Sequence, residues 1–248
     1  MKIIEAEDYQ EMSRLAAELI SGKVGSSEKI NLGLATGGTP IGTYTKLIED
    51  HQKNQTSYKN TSTFNLDEYV GLSGDHPSSY RHYMNKKLFN HLDIKKSNTH
   101  IPRGDVRDML QECLDYERRI AESGGIDLQI LGIGSNGHIG FNEPGTSFHS
   151  NTHLVRLAKS TREANARYFD SLEKVPGKAI TMGISTIMKS KEILLLISGE
   201  RKREAFDRLM ENEVTENFPA SILRNHPHVT IVADKAALGN NSWFCEKA

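Results

Sequence analysis

The 248-residue chain is expected to fold as an α/β protein, a single doubly wound, mostly parallel sheet with helices on both faces in a Rossmann-like arrangement. Three observations carry that expectation. Short apolar runs of strand length alternate with segments of helical spacing along the whole sequence. Gly-rich turns follow strand-like runs at Thr36–Pro40 and Gly132–Pro144. No linker, low-complexity tract or repeat of roughly 20–50 residues divides the chain, so residues 1–248 are read as one domain.

Lys2–Ala6 reads as a short strand. Asp8–Ile20 carries Met12, Leu15, Ala16 and Leu19 at helical spacing. Ile30–Leu34 is the next strand, and a helix follows from Pro40 to Asp50. Pro40 suits the first helical position, where its missing N–H costs nothing. Thr61–Leu66 is a strand with Asp67-Glu-Tyr-Val-Gly71 at its C-terminal end. Ser78–Leu92 and Met109–Ala121 are helical, the second closed by Gly124-Gly125. Ile126–Leu131 is the central buried strand. Thr161–Leu172 reads as a helix ending near Pro176, and Ile180–Met182, Ile193–Ile197 and Val229–Val232 as further strands. In such sheets ligands bind beyond the carboxyl ends of the strands. The three segments richest in chemistry all lie at such ends.

Composition narrows the class. Lys and Arg total 31 against 32 Asp and Glu, so no basic excess favours nucleic acid or a membrane surface. Cys113 and Cys245 lie too far apart for a disulfide framework or a metal site and are read as reduced bystanders. The early charges of Met1-Lys-Ile-Ile-Glu5 do not suit a signal peptide, and no run reaches about 18 apolar residues. The expected location is the cytoplasm.

Each motif has two readings. Thr36-Gly37-Gly38-Thr39-Pro40 joins strand to helix, so its backbone N–H groups and the helix start can hold a phosphate. A plain tight turn is the alternative, and the Gly-Lys-Ser/Thr ending of a P-loop is missing. Asp67 and Glu68 end a strand, either as a helix cap or solvated loop, or as a general base in the crevice. Gly132-Ile-Gly134-Ser-Asn-Gly137 fits a dinucleotide fingerprint in letters only. Gly140 and Pro144 interrupt any following helix, and no acidic residue stands where ribose recognition needs one. His138 and Glu143 sit on that Gly-rich loop, where an imidazole can move protons near neutral pH or serve structure alone. No second His or Cys stands at metal-ligand spacing. Arg167 and Lys202 are surface cations or counter-charges to a phosphate held at Thr36–Thr39.

These segments, with Asn65–Leu72, Gly134–Pro144 and Ser198-Gly-Glu-Arg-Lys202, resemble the glucosamine-6-phosphate deaminases of the glucosamine/galactosamine-6-phosphate isomerase family, in order and over nearly the whole chain. The resemblance implies conversion of D-glucosamine 6-phosphate and water to D-fructose 6-phosphate and ammonia, without metal or organic cofactor. It implies Asp67 as the base at C2, His138 as the ring-opening group and Glu143 as its support. It also implies a phosphate held by Gly37–Thr39 with Arg167 and Lys202, Arg167 lying on a helix that acts as a lid in the family. Asn136 departs from relatives that carry Asp there. An amide cannot take a proton at neutral pH but can orient His138. Some longer relatives are hexamers activated by N-acetylglucosamine 6-phosphate. Thr152-His-Leu-Val-Arg156 does not clearly reproduce their effector pattern, so a non-allosteric enzyme is expected. A homo-oligomer is compatible with these residues but not fixed by them. The rival readings are a 6-phosphogluconolactonase-like hydrolase, which needs no carbon base, a sugar-phosphate-binding regulatory domain, and a nicotinamide enzyme, which would bind a dinucleotide.

Overall fold

The computed structural model describes residues 1–166, 169–211 and 213–239. Its strands are β1 (Lys2–Ala6), β2 (Ile30–Leu34), β3 (Thr61–Asn65), β4 (Asp67–Tyr69), β5 (Thr99–His100), β6 (Leu128–Gly132), β7 (His153–Arg156), β8 (Lys178–Thr181), β9 (Glu192–Ile197) and β10 (Val229–Asp234). The helices are α1 (Tyr9–Ser26), α2 (Ile41–Asn54), α3 (Tyr80–Lys87), α4 (Met109–Glu122), α5 (Lys159–Asn165), α6 (Ile184–Met188), α7 (Arg203–Met210) and α8 (Lys235–Leu238).

Seven strands form one sheet in the order β1-β10-β9-β6-β2-β3-β5, and every pairing in it is parallel. The expected architecture is therefore present. Each strand alternates its side chains between two apolar layers. Ile193, Leu195 and Ile197 join Tyr116, Ile120, Ile187 and Phe206 on the face covered by α4, α6 and α7. Leu194 and Leu196 join Met12, Ile20, Tyr44, Leu47 and Met84 on the face covered by α1, α2 and α3. Burial on both faces is why these strands read as continuous apolar runs.

The order runs outward in opposite senses from β2 and β6. The carboxyl ends of those two strands open a crevice at the switch point, where such sheets hold ligands.

Several local expectations shift. A second, antiparallel sheet of order β4-β8-β7 stands beside the first. Ile180–Met182, expected as a strand of the main sheet, contributes to β8 in this smaller one. Pro40 is the N-cap of α2 rather than its first residue. Where a helix is expected over Thr161–Leu172, α5 spans Lys159–Asn165 and Leu172–Lys174 forms a 3₁₀ turn, residues 167–168 lying outside the described ones. Helix α1 runs past Ile20 to Ser26, capped at its start by Asp8, whose carboxylate accepts from the Gln10 and Glu11 N–H groups. Among the described residues no helix is long and apolar enough to cross a membrane. Cys113 is buried in α4 and its thiol is pushed up to about 11 by burial, which keeps it unreactive. Cys245 lies outside the described residues.

Candidate active site

A cavity of about 320 Å³ opens beyond the ends of β2, β3 and β6. Asp67, His138, Lys202 and the whole Thr36–Thr39 loop line it, beside Tyr80, Phe141 and Thr161. Its size falls at the small end of the roughly 300–1,000 Å³ usual for ligand pockets.

Asp67 reaches the cavity because the chain changes sheets there. Leu66 still donates its N–H to Leu34 O at 3.0 Å, while Asp67 already pairs with Thr181 in the small sheet. Only 6% of Asp67 is exposed. Burial first, and the neighbouring Glu68 second, push its carboxyl from 3.8 up to about 8. No described residue donates a hydrogen bond to that carboxyl, so nothing there offsets the cost of ionising it, and it can take a proton only once it has lost its own.

Glu68 takes the structural role. Its Oε1 accepts from the Tyr69 and Tyr80 N–H groups, each at 2.9 Å, and its Oε2 from the Arg81 N–H at 3.0 Å. It thereby satisfies N–H groups at the start of α3. Burial raises its carboxyl, and the three N–H bonds and Arg81 oppose that rise. Of the two readings weighed for the acidic pair, each residue follows one.

His138 hangs on a loop bent by Gly137 at φ +84°. A Cβ on Gly134 would lie 2.2 Å from the imidazole, so only glycine admits the ring in this position. Asn136 Oδ1 accepts from His138 Nδ1 at 2.7 Å and from the His138 backbone N–H at 3.2 Å. Asn136 Nδ2 donates to Glu143 Oε2 at 2.7 Å, and Thr161 Oγ1 donates to Glu143 Oε1 at 2.6 Å. Because an amide oxygen only accepts, Nδ1 carries the ring proton and Nε2 keeps the lone pair. Burial holds the imidazole below its ordinary 6.5. Glu143, whose Oε2 is 3.7 Å from Nδ1, opposes that shift, and Lys202 adds to it.

Thr181 locks the two reactive loops together. Its backbone pairs with Asp67, and its hydroxyl accepts from the Phe141 N–H at 3.1 Å. A Cβ placed on Gly140 would lie 3.6 Å from Asp67 Oδ2, so the His138 loop passes directly over the carboxylate. Tyr80 and Phe141 wall this side and pack on Tyr69 behind them, with ring centroids 4.8 Å (Tyr69 to Tyr80) and 5.9 Å (Tyr69 to Phe141) apart.

Lys202 follows Gly199, whose φ is +90° and whose N–H donates to both oxygens of buried Asp234 at 3.0 and 3.1 Å. Asp234 also accepts from Ser198 Oγ and from the Ala237 N–H. Burial, then Arg201, lowers the Lys202 ammonium from its ordinary value. Its side chain lines the same cavity as Thr36–Thr39. Arg167 lies outside the described residues. Sequence reasoning missed Tyr80, Phe141, Thr161, Thr181 and Asp234. Phe141 stood inside a motif already singled out. For the other four, no local signal distinguished them from ordinary helix and strand residues.

The chain has relatives among known proteins. A sequence profile for the glucosamine-6-phosphate isomerases/6-phosphogluconolactonase family matches residues 5–232. The chain is 60% identical over 248 residues to the glucosamine-6-phosphate deaminase of Shouchella clausii (strain KSM-K16), covering 100% of this chain and 99% of that one. It superposes with a TM-score of 0.94 on the structure of a monomeric glucosamine-6-phosphate deaminase, 52% identical, covering 96% of this chain and 98% of the other. A 6-phosphogluconolactonase from Trypanosoma cruzi shares the fold alone, with a TM-score of 0.78 at 20% identity over 97% of each chain.

Proposed function

The chain belongs to the glucosamine-6-phosphate isomerase/6-phosphogluconolactonase family, and on that premise we propose that it converts D-glucosamine 6-phosphate and water to D-fructose 6-phosphate and ammonia. The observation that carries this reading is one cavity lined at once by a buried carboxylate, an imidazole with a fixed tautomer and an anion-binding loop.

The phosphate lies on the Gly37–Thr39 backbone with Lys202 as counter-charge, which tethers the far end of the sugar. His138 Nε2 takes the proton from O1 and returns it to the ring oxygen, opening the pyranose to the free aldehyde. Asp67 then removes the C2 proton while O1 takes one from solvent, giving an enolamine across C1 and C2. The same carboxyl returns a proton to C1, which leaves an iminium at C2. Water adds to that carbon, and ammonia departs as the ketone forms. The two proton-transfer groups are each worth typically 10²–10⁴-fold in rate. Lactone hydrolysis would leave the buried base at Asp67 without a task. That contrast supports the deaminase reading over the lactonase one.

The same reading places the enzyme in the cytoplasm with a small-molecule substrate, and gives it a hyperbolic rate curve that N-acetylglucosamine 6-phosphate leaves unchanged. The direct test is ammonia release from glucosamine 6-phosphate with EDTA present. Ammonia and fructose 6-phosphate should appear in equal amounts. Folded protein that releases neither ends the reading.

A further inference from the structure

The back of the Thr36–Thr39 loop is held by three phenols from three helices. Tyr44 of α2 donates to Ala35 O at 2.6 Å, Tyr83 of α3 to Gly37 O at 2.6 Å, and Tyr9 of α1 to Gly38 O at 3.1 Å. The Tyr9 hydroxyl also accepts from the Gly42 N–H at 2.8 Å, so it bridges the loop to the first turn of α2.

Peptide geometry gives these bonds a consequence on the opposite side. In a planar trans peptide the N–H points away from the C=O of the same unit. The carbonyl of Gly37 shares its plane with the Gly38 N–H, and that of Gly38 with the Thr39 N–H. Fixing both carbonyls against Tyr83 and Tyr9 therefore turns both N–H groups the other way. Gly37, Gly38 and Thr39 all line the cavity, and neither N–H donates to a described residue. Gly37, at φ +97°, permits the turn. Tyr44 acts likewise on the Ala35–Thr36 unit.

We infer that Tyr9, Tyr44 and Tyr83 are positioning residues for phosphate recognition: their hydroxyls hold the loop carbonyls outward so that its N–H groups converge on the anion. Without them the glycine-rich loop samples other peptide orientations, and each reversed peptide presents a carbonyl dipole to the phosphate. The inference rests on the proposed phosphate subsite, and it concerns residues that never touch substrate.

The test compares Tyr9→Phe, Tyr83→Phe and the double variant with Tyr58→Phe, which removes a buried hydroxyl that has no described partner and does not line the cavity. Steady-state kinetics on glucosamine 6-phosphate are read beside competitive inhibition by inorganic phosphate. Each phenol lost should raise KM about tenfold while kcat stays within about twofold, the signature of lost uniform binding. The inhibition constant for phosphate should rise by the same factor, and Tyr58→Phe should move neither. A merely structural role would lower the thermal midpoint and leave the phosphate constant alone. That outcome in Tyr83→Phe overturns the inference, as does a fall in kcat at unchanged KM. Should Tyr9→Phe fail to fold, Tyr83→Phe decides alone. Wild-type protein that turns over the sugar phosphate but ignores inorganic phosphate at high concentration also overturns it. Wild-type protein that does neither removes the underlying functional reading instead.

Discussion

Replacing Asp67 by Asn should stabilise this protein while it abolishes turnover, and the gain should grow with pH. The folded carboxyl sits at about 8 against an ordinary 3.8, chiefly because it is buried. Above about pH 4 the unfolded chain has lost this proton, while the folded chain keeps it until about pH 8. The folded state thus binds the extra proton throughout that window. Stability from this group is full below the unfolded value, falls as pH rises, and levels off above about 8. The slope is about 1.4 kcal/mol per pH unit, so the change between pH 5 and pH 8 reaches about 4 kcal/mol. Asn has nearly the same shape and no charge to desolvate. At roughly 2–4 °C per kcal/mol for a chain of this size, Asp67→Asn should gain on the order of 10 °C in Tm over the wild type across that interval. Thermal unfolding of both proteins from pH 4 to pH 9 measures this directly. Two Tm curves that run parallel over the whole range would refute the claim that a desolvated carboxylate faces the cavity.

Three further outcomes follow from the same geometry. Because Asp67 acts only when ionised, kcat/KM should climb with unit logarithmic slope up to about pH 8. The substrate ammonium beside C2 favours the charged carboxylate, so the acid limb of kcat should lie lower than that of kcat/KM. Coincident limbs in the two profiles would show that the ammonium does not face Asp67. Asn136→Asp puts a carboxylate where an amide oxygen now stands 2.7 Å from His138 Nδ1, so the imidazole pKa should rise. Proton NMR of the His138 ring gives that value, and a fall would contradict the assigned contact. Glu68→Gln leaves one acceptor atom for three backbone N–H groups, which should cost about 1–3 kcal/mol in urea unfolding at unchanged m. It also removes the like charge beside Asp67, so the acid limb of kcat/KM should move down.

The legible parts of the sequence were those whose structure follows from local pattern. Ile30–Leu34 and Ile193–Ile197 are buried on both faces, so their apolar runs mark strands without any knowledge of partners. The switch-point crevice then followed from strand–helix alternation, and Asp67, His138 and the Thr36–Thr39 loop do line one cavity. The small sheet was invisible because its stability is nonlocal. Strand β4 is three polar or aromatic residues long and exists by pairing with Thr181. Strand β7 carries half-exposed His153, Leu154 and Val155, which give no clear period. The same limit hid Asp234, which organises the Lys202 loop from the far end of β10. The tyrosines behind the anion loop read as ordinary amphipathic helix positions, since nothing local tells where a phenol tip ends.

The chain from Glu143 to His138 has a direction that the chemistry of each group enforces. A carboxylate only accepts, so Asn136 must turn its NH₂ toward Glu143, 2.7 Å away. Its carbonyl oxygen then faces His138 and can only accept, so the ring proton must sit on Nδ1. One negative charge, seconded by the His138 backbone N–H on the same Asn136 Oδ1, thus sets the tautomer of an imidazole through a neutral amide, and leaves the Nε2 lone pair as the proton acceptor. Glu143→Gln keeps the shape but removes the charge, leaving the His138 backbone N–H, which donates to Asn136 Oδ1 at 3.2 Å, to hold the amide. When the Gln NH₂ donates to Asn136 Oδ1, Asn136 turns its own NH₂ toward His138 at the expense of the backbone bond from His138 N–H. The Nδ1 atom becomes the acceptor, Nε2 takes the proton, and the ring can no longer receive one from O1. Turnover of the closed pyranose should fall by about 10²–10⁴-fold, the usual worth of a general acid–base group. The change should be visible without substrate as exchange of the two ring-nitrogen shifts of His138 in nitrogen-15 NMR. A Glu143→Gln protein with the wild-type nitrogen pattern and near-wild-type turnover would mean that the amide bridge does not govern the imidazole.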